Sequence, residues 1–253
     1  MDQPASDAIV TAALLVIGDE ILSGRTKDKN IGFVAEYLTA IGVDLREVRI
    51  VSDEEDAIVA AVNALRTRYD YVFTTGGIGP THDDITADSV AKAFGVPIDV
   101  DPRVVALFRE RNPTLDLNAA RLRMARIPEG AELIENQIST APGFWLGNVI
   151  VMAGVPAIMQ VMLDAVAGKL RTGRKMLSET VRADAREGDI GTPLAEIAKA
   201  NPDVIIGSYP FFDGHGPNTN IVVRARDAQK LAGVKSTVED MLVRVRAELA
   251  RPR

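Results

Sequence analysis

The residues best suited to chemistry lie in one run, Tyr69-Asp-Tyr-Val-Phe-Thr-Thr-Gly-Gly-Ile-Gly-Pro-Thr-His-Asp-Asp-Ile-Thr86. Its first part, 69–75, is rich in β-branched and aromatic residues and reads as a buried strand. Gly76, Gly77, Gly79 and Pro80 read as a tight turn, and a helix is expected over 83–94, stopped by Gly95. A strand that passes through a glycine turn into a helix start presents backbone N–H groups to a phosphate. Asp83 and Asp84 stand at the mouth of that anion site. Two carboxylates beside a phosphate repel it unless a cation lies between them, which points to a hard divalent ion bridging carboxylate and phosphate. Each feature also has a plain structural reading. A Gly-Gly pair serves a tight turn, and acidic residues favour a helix N-terminus without any ligand.

The elements that position these residues follow from hydrophobic periodicity. Residues 9–17 are a near-continuous apolar run, as in a strand covered on both faces. A loop over 18–26 carries Gly18, Asp19, Glu20 and Ser23, and a helix follows over 28–41. Residues 43–51 alternate as a second strand, after which Ser52 or Asp53 is suited to cap a helix over 54–68. Units of about 30 residues alternating strand and helix predict a parallel sheet. Further helices are expected over 102–111, 118–126 and 156–170, with a fourth strand over 149–152. Residues 133–147 read as loop or an antiparallel insertion.

In an open parallel sheet, ligands bind beyond the carboxyl ends of the strands. The loops leaving those ends bring Asp19, Glu20, Ser23, Asp53, the Gly76-Gly77-Ile78-Gly79 backbone, His82, Asp83, Asp84 and the Gly154-Val155-Pro156 turn to one edge. That set suits cleavage or transfer at a phosphoanhydride. His82 is read equally as a turn residue and a ligand contact. Arg121, Arg123 and Arg126 are read as a solvated helix face, with phosphate contact as the lesser alternative, and Met152, Met159 and Met162 as core filler.

Arg171-Thr-Gly-Arg-Lys175 is a basic, glycine-containing break that divides an α/β domain, 1–172, from a small α+β domain, 173–253. In the latter, strands are expected over 176–183, 204–209 and 220–225, helices over 192–199 and 228–249, and a hairpin loop at His215. With 29 basic and 35 acidic residues the net charge is −6, which disfavours duplex nucleic acid or an anionic membrane as partner. Absence of cysteine excludes disulfides, thiol catalysis and cysteine-held metals. No Ser-His-Asp order, zinc-site spacing or P-loop lysine stands in the sequence. Residues 8–17 are too short a run for a membrane span and lack a basic segment before them, so a cytoplasmic protein is expected.

Gly76-Gly-Ile-Gly-Pro-Thr-His-Asp-Asp-Ile-Thr86 resembles the signature of the molybdopterin-binding domain superfamily. The nearest resemblance is to the competence/damage-inducible protein A family and to the N-terminal domain of eukaryotic FAD synthase. It extends through Gly18-Asp-Glu-Ile-Leu-Ser-Gly24, Asp28-x-Asn30, Asn136, Thr140-Ala-Pro-Gly-Phe144 and Gly154-Val-Pro156. Glu187-Gly-Asp-Ile190 and Gly207-Ser-Tyr-Pro210 continue it more loosely.

The resemblance implies a three-layer αβα sandwich with a mostly parallel sheet, often assembled as a homo-oligomer. It implies Asp84 and Asp53 as catalytic positions; the residues themselves add Asp83 beside Asp84, and the three are the expected metal ligands for Mg²⁺, Mn²⁺ or Co²⁺. Ligand contacts are implied at Gly18, Asp19, Glu20, Ser23, Gly76, Gly77, Ile78, Gly79, Thr81, Thr86, Gly154 and Pro156. The implied activity is pyrophosphate hydrolysis on ADP-ribose, FAD or a similar nucleotide. The alternatives are a molybdopterin-binding protein without turnover or a molybdopterin adenylyltransferase. Three positions depart from the competence/damage-inducible pattern: Asp19 stands where a threonine is usual, as in the FAD synthase domain, Ala153 replaces a proline and Ile158 a glutamate. The deamidase and FMN-adenylating domains of fuller relatives lie outside this sequence, and neither activity is expected.

Overall fold

The computed structural model describes residues 8–214 and 216–250, so the expectation for His215 falls outside the described residues. The chain divides after Gly173 into two compact units.

The first unit opens with β1 (Val10–Ile17). Side chains alternate across a strand, so Ala13, Leu15 and Ile17 enter one apolar cluster while Ala12, Leu14 and Val16 enter another. There follow α1 (Asp19–Leu22), α2 (Asn30–Ile41), β2 (Val43–Val51), α3 (Glu55–Arg66), β3 (Tyr71–Thr75) and α4 (Thr86–Phe94). Next come β4 (Ile98–Val100), α5 (Pro102–Arg111), α6 (Ala119–Arg123), β5 (Arg126–Pro128), β6 (Glu132–Ile134), β7 (Gly143–Leu146), β8 (Val149–Met152) and α7 (Pro156–Ala167).

Six strands form one sheet in the order β2-β1-β3-β8-β7-β6. β2, β1, β3 and β8 run parallel, and β7 and β6 are joined to them through antiparallel pairs. α3, α4 and α5 cover one face through Ile58, Val62, Leu65, Val90, Val104 and Phe108. α2 and α7 cover the other through Val34, Leu38, Met159, Met162, Leu163 and Val166. The expected three layers are present, and the methionines are core filler as read.

Several boundaries differ from expectation, each for a local reason. α4 starts at Thr86 rather than Asp83, because Thr81 and Asp84 bond to each other in a closed turn and the Thr86 amide donates to Gly77 O at 3.0 Å. Asp83 and Asp84 therefore precede the helix instead of lying in its first turn. α3 is preceded by Glu54 with no side-chain cap, and neither Ser52 nor Asp53 caps it. Asp53 instead accepts the Asp19 amide at 2.8 Å. The helix expected over 118–126 stops at Arg123, and Arg126 begins β5, which pairs with β4. Strands as short as these carry too little alternation to be seen in a sequence.

Two side chains lock strands together. Asn148 Nδ2 donates to the carbonyls of Arg66 (2.9 Å) and Tyr69 (3.0 Å), fastening the turn before β8 to the α3–β3 connection. Asp70 accepts from Thr11 N (2.8 Å) and Thr11 Oγ1 (2.9 Å) and pairs with Arg171.

The second unit comprises β9 (Leu177–Arg182), α8 (Glu187–Ala200), β10 (Ile205–Asp213), β11 (Gly216–Ala225) and α9 (Ala228–Leu249). Its antiparallel sheet has the order β10-β11-β9, and α8 and α9 pack on it around Ile190, Leu194, Ile221, Val223, Val238 and Leu242. α8 begins at Glu187, ahead of the expected Thr192, because Gly188, Gly191 and Pro193 mask a helix whose first turn holds the favourable acids Glu187 and Asp189. Asp227 caps α9 by accepting the Lys230 amide at 2.8 Å.

Burial alone would raise the Asp70 carboxyl, but the Thr11 hydrogen bonds and the Arg171 charge outweigh it and hold the group below its ordinary 3.8. A depressed carboxyl contributes stability that is present above the unfolded-state pKa and lost as pH falls through the lower folded-state value. Asp70→Asn is expected to cost about 1–3 kcal/mol at pH 7. In calorimetry the gap from wild type should narrow below about pH 4. An equal gap at pH 3 and pH 7 would contradict this account.

Candidate functional site

β2 lies on one side of β1 and β3 on the other, so the chain reverses direction across the sheet at β1 and leaves a crevice between the exits of β1 and β3. Backbone bonds draw the exits together. Gly18 N donates to Val51 O (3.1 Å) and Gly76 N to Met152 O (3.2 Å). Asn30, buried at the start of α2, donates through Nδ2 to Gly154 O at 2.8 Å.

The glycine turn is shaped by close approach. Gly76 has φ +106°, and a β-carbon there would stand 2.1 Å from the Ile17 carbonyl oxygen. Gly77 has φ +65°, and its β-carbon would stand 2.1 Å from Thr86 Oγ1. No side chain fits either place. Thr86 is fully buried and its hydroxyl donates to Gly76 O at 3.0 Å, so it templates the turn. Asp84 leans over Gly79, where a β-carbon would lie 2.6 Å from its Oδ2. That oxygen accepts from Thr81 N (2.8 Å) and Thr81 Oγ1 (2.5 Å), which makes Thr81 the residue that orients Asp84.

A cleft of about 710 Å³ opens here. Glu20, Gly76, Gly77, Ile78, Gly79, Asp84, Gly154 and Pro156 line it, as do Ala153 and Ile158, two of the departures from the family pattern. Gly18, Asp19, Ser23, Asp53, Thr81, Asp83 and Thr86 lie outside its lining. Ser23 ends α1, and Thr26, whose amide donates to Glu20 O at 2.9 Å, reaches the cleft in its place.

Sequence reasoning missed Phe108, Leu115 and Met124, which give the cleft an apolar lining, and Ser139 beside them; only the Thr140-Ala-Pro-Gly-Phe144 motif pointed there. The solvated-face reading of the three arginines is corrected. Arg121 lines the cleft, Arg123 bonds the carbonyls of His82 and Asp84, and Arg126 pairs with Asp88. These partners come from distant segments that the helical spacing does not reveal. The His82 side chain is 99% exposed, with Nδ1 3.9 Å from Asp83.

Electrostatics single out Asp53. Burial raises its carboxyl, and although the Asp19 amide works the other way, the charges of Asp19, Glu20 and Asp83 add to the rise. Among the described residues no three His, Cys, Asp or Glu side chains form a ready-made metal cluster. Mg²⁺ rarely needs one, because it takes one or two carboxylates and completes its shell with water and phosphate oxygens. Mutually repelling carboxylates beside an amide-rich turn fit that habit.

An αβα domain with a glycine-turn cleft at its switch point, followed by a small α+β unit, defines the class of protein. The chain belongs to the family described as "Probable molybdopterin binding domain", which matches residues 13–172. Residues 175–247 match "FAD synthase, middle domain". Protein Ta0487 of Thermoplasma acidophilum is 36% identical over 245 residues, covering 92% of this chain and 93% of that one. A "Probable FAD synthase" of Caenorhabditis elegans is 29% identical over 258 residues, covering 92% of this chain but 50% of the relative. The chain thus spans about half the length of that FAD synthase. The solved structure of the protein CinA from Thermoplasma acidophilum, described as of unknown function, is 35% identical with a TM-score of 0.60, over 64% of this chain and 98% of that chain. The resemblance seen in the motifs is borne out. No helix among the described residues is long and apolar enough to cross a membrane.

A carboxyl whose folded-state pKa is raised costs stability above that pKa, and the cost disappears once pH falls below the unfolded value near 3.8. Asp53→Asn keeps an acceptor for the Asp19 amide and removes the charge. It is expected to melt at or above the wild-type temperature at pH 7, with the difference closing below about pH 4. A clear loss of stability at pH 7 would show that the charge is compensated.

Proposed function

We propose that this chain hydrolyses the pyrophosphate bond of a nucleotide of the ADP-ribose or FAD kind, with Mg²⁺, Mn²⁺ or Co²⁺ as cofactor. One observation carries the reading: the amide-rich Gly76–Gly79 turn and the carboxylates of Glu20 and Asp84 line the same cleft. Backbone donors fixed in place stabilise charge that grows on phosphoryl oxygens. The Gly77, Ile78 and Gly79 amides bind the phosphate. Asp84, oriented by Thr81, and Asp53 are the residues that would hold the metal or align the attacking water. A divalent ion supplies charge neutralisation and a more acidic bound water. Phe108, Leu115 and Met124 offer a flat aromatic ring an apolar seat and keep water from that side. Kinship with FAD synthases supports a nucleotide that carries such a ring.

A second reading is that the cleft holds a pterin phosphate without turnover, or adenylylates it. Ile158 on the cleft lining, where the family pattern has a glutamate, favours it.

The test is AMP release from ADP-ribose and FAD with each metal in turn. Release is expected, and Asp84→Ala should lower it roughly 100-fold or more. Silence with every metal, or full activity of the variant, would falsify hydrolysis. Tight pterin binding by calorimetry without product would select the second reading.

A further inference from the structure

We propose that Arg123 is the positioning residue of the acidic turn, its guanidinium holding the carbonyls of His82 and Asp84 so that the Asp84 carboxylate stays over Gly79. Arg123 Nε donates to Asp84 O at 3.2 Å and Nη2 to His82 O at 3.3 Å. Thr81, His82 and Asp83 are exposed, and a turn in that situation is free to rearrange unless something outside it holds it. Among the described residues, the hydrogen bonds of 81–84 otherwise close within the turn: Asp84 N to Thr81 O at 3.2 Å, and Thr81 to Asp84 Oδ2. These set the shape of the turn but not its place. Arg123 sets its place.

The support behind the fork is firm. α6 is capped by Asn118, which accepts the Arg121 amide at 3.0 Å, and Arg121 Nη1 donates to Asp116 O at 2.7 Å. The same short segment puts Arg121 and Met124 into the cleft lining. The element that touches a seated ligand therefore also fixes the carboxylate that acts on it. A planar guanidinium can meet two carbonyls at once, whereas a lysine ammonium is a point charge on a flexible stem and cannot reproduce the fork.

The kinetic consequence rests on the proposed hydrolysis; the mechanical one does not. The experiment uses the full chain as wild type, Arg123→Ala and Arg123→Lys. Hydrogen exchange of the 81–86 amides is measured without substrate, and AMP release from ADP-ribose with Mg²⁺ separately. Both variants should exchange about tenfold faster at 81–86 while the β3 amides keep wild-type protection. In turnover, kcat should fall about 10–100-fold with KM within about twofold, the pattern of a misplaced group. Added guanidinium should restore part of the rate to Arg123→Ala and none to Arg123→Lys. Unchanged exchange in both variants overturns the proposal whatever the activity, and so does faster exchange with unaltered kcat. If the wild type releases no AMP, hydrolysis fails as a function, and the exchange result alone decides for or against the clamp. If Arg123→Ala does not fold, the lysine variant carries both readings.

Discussion

The Gly76 α-carbon and the Ile17 carbonyl stand so close that no β-carbon fits between them. Everything at the site depends on this contact. It brings the exits of β1 and β3 together at the point where the sheet changes direction, and Gly154 closes from a third strand with its missing β-carbon 3.3 Å from the Gly76 α-carbon. The turn then has a single way out. Thr86 buries its hydroxyl against Gly76 O and its amide against Gly77 O, Ile78 and Ile85 pack against the core, and residues 79–84 between them stand out as a lip. Leaving that hydroxyl unpaired in the interior would cost about 1–3 kcal/mol, which the bond to Gly76 offsets. The lip carries Asp83 and Asp84, and its shape is inherited from the buried contact beneath it.

The two ends of the sheet are treated differently. At the entry to β3, Asp70 is surrounded by donors and an arginine, and its charge is stabilised. At the exit from β2, Asp53 is surrounded by carboxylates, and its charge is opposed. One aspartate is tied into the frame; the other holds charge in a place where the fold gains nothing from it. Unfavourable charge of that kind clusters where ligands act. Glu20 and Asp84 on the cleft lining extend the same field toward the glycine turn.

Much of this was legible in the residues themselves. The doubly covered β1 announced itself as a run without charge, and the parallel sheet followed from alternating strand and helix periods, while the αβα layering was implied by the family resemblance. The glycine turn and its aspartates were visible because glycine at a crowded turn is a steric necessity. The start of α4 was misplaced because Thr81 and Asp84 satisfy each other, a side-chain bond that resembles a helix start in sequence. Asp53 resembled a cap for the same reason: an aspartate before a helix is common, and its partner, the Asp19 amide, is far away in the chain. Arg121 and Arg123 were read as a solvated face since nothing in their spacing reveals a cleft assembled from distant segments, or carbonyls 39 and 41 residues upstream of Arg123. The apolar wall of the cleft was missed because Phe108, Leu115 and Met124 come from separate segments that only the tertiary fold assembles.

The pairing of β3 with β8 sets a clock on the birth of the molecule. Val72 to Thr75 lie beside Val149 to Met152, and Asn148 caps the carbonyls of Arg66 and Tyr69. A ribosome adds about 5–20 residues per second, so β3 exists for roughly 4–15 s before its neighbour has been made. During that interval one edge of β3 is bare, and bare strand edges invite pairing with other chains. β1 is already available on the opposite edge and holds the register through Ala12 to Val16. The early half-sheet thus keeps a place open for a strand not yet synthesised, and the glycine turn gains its last wall only when that strand arrives.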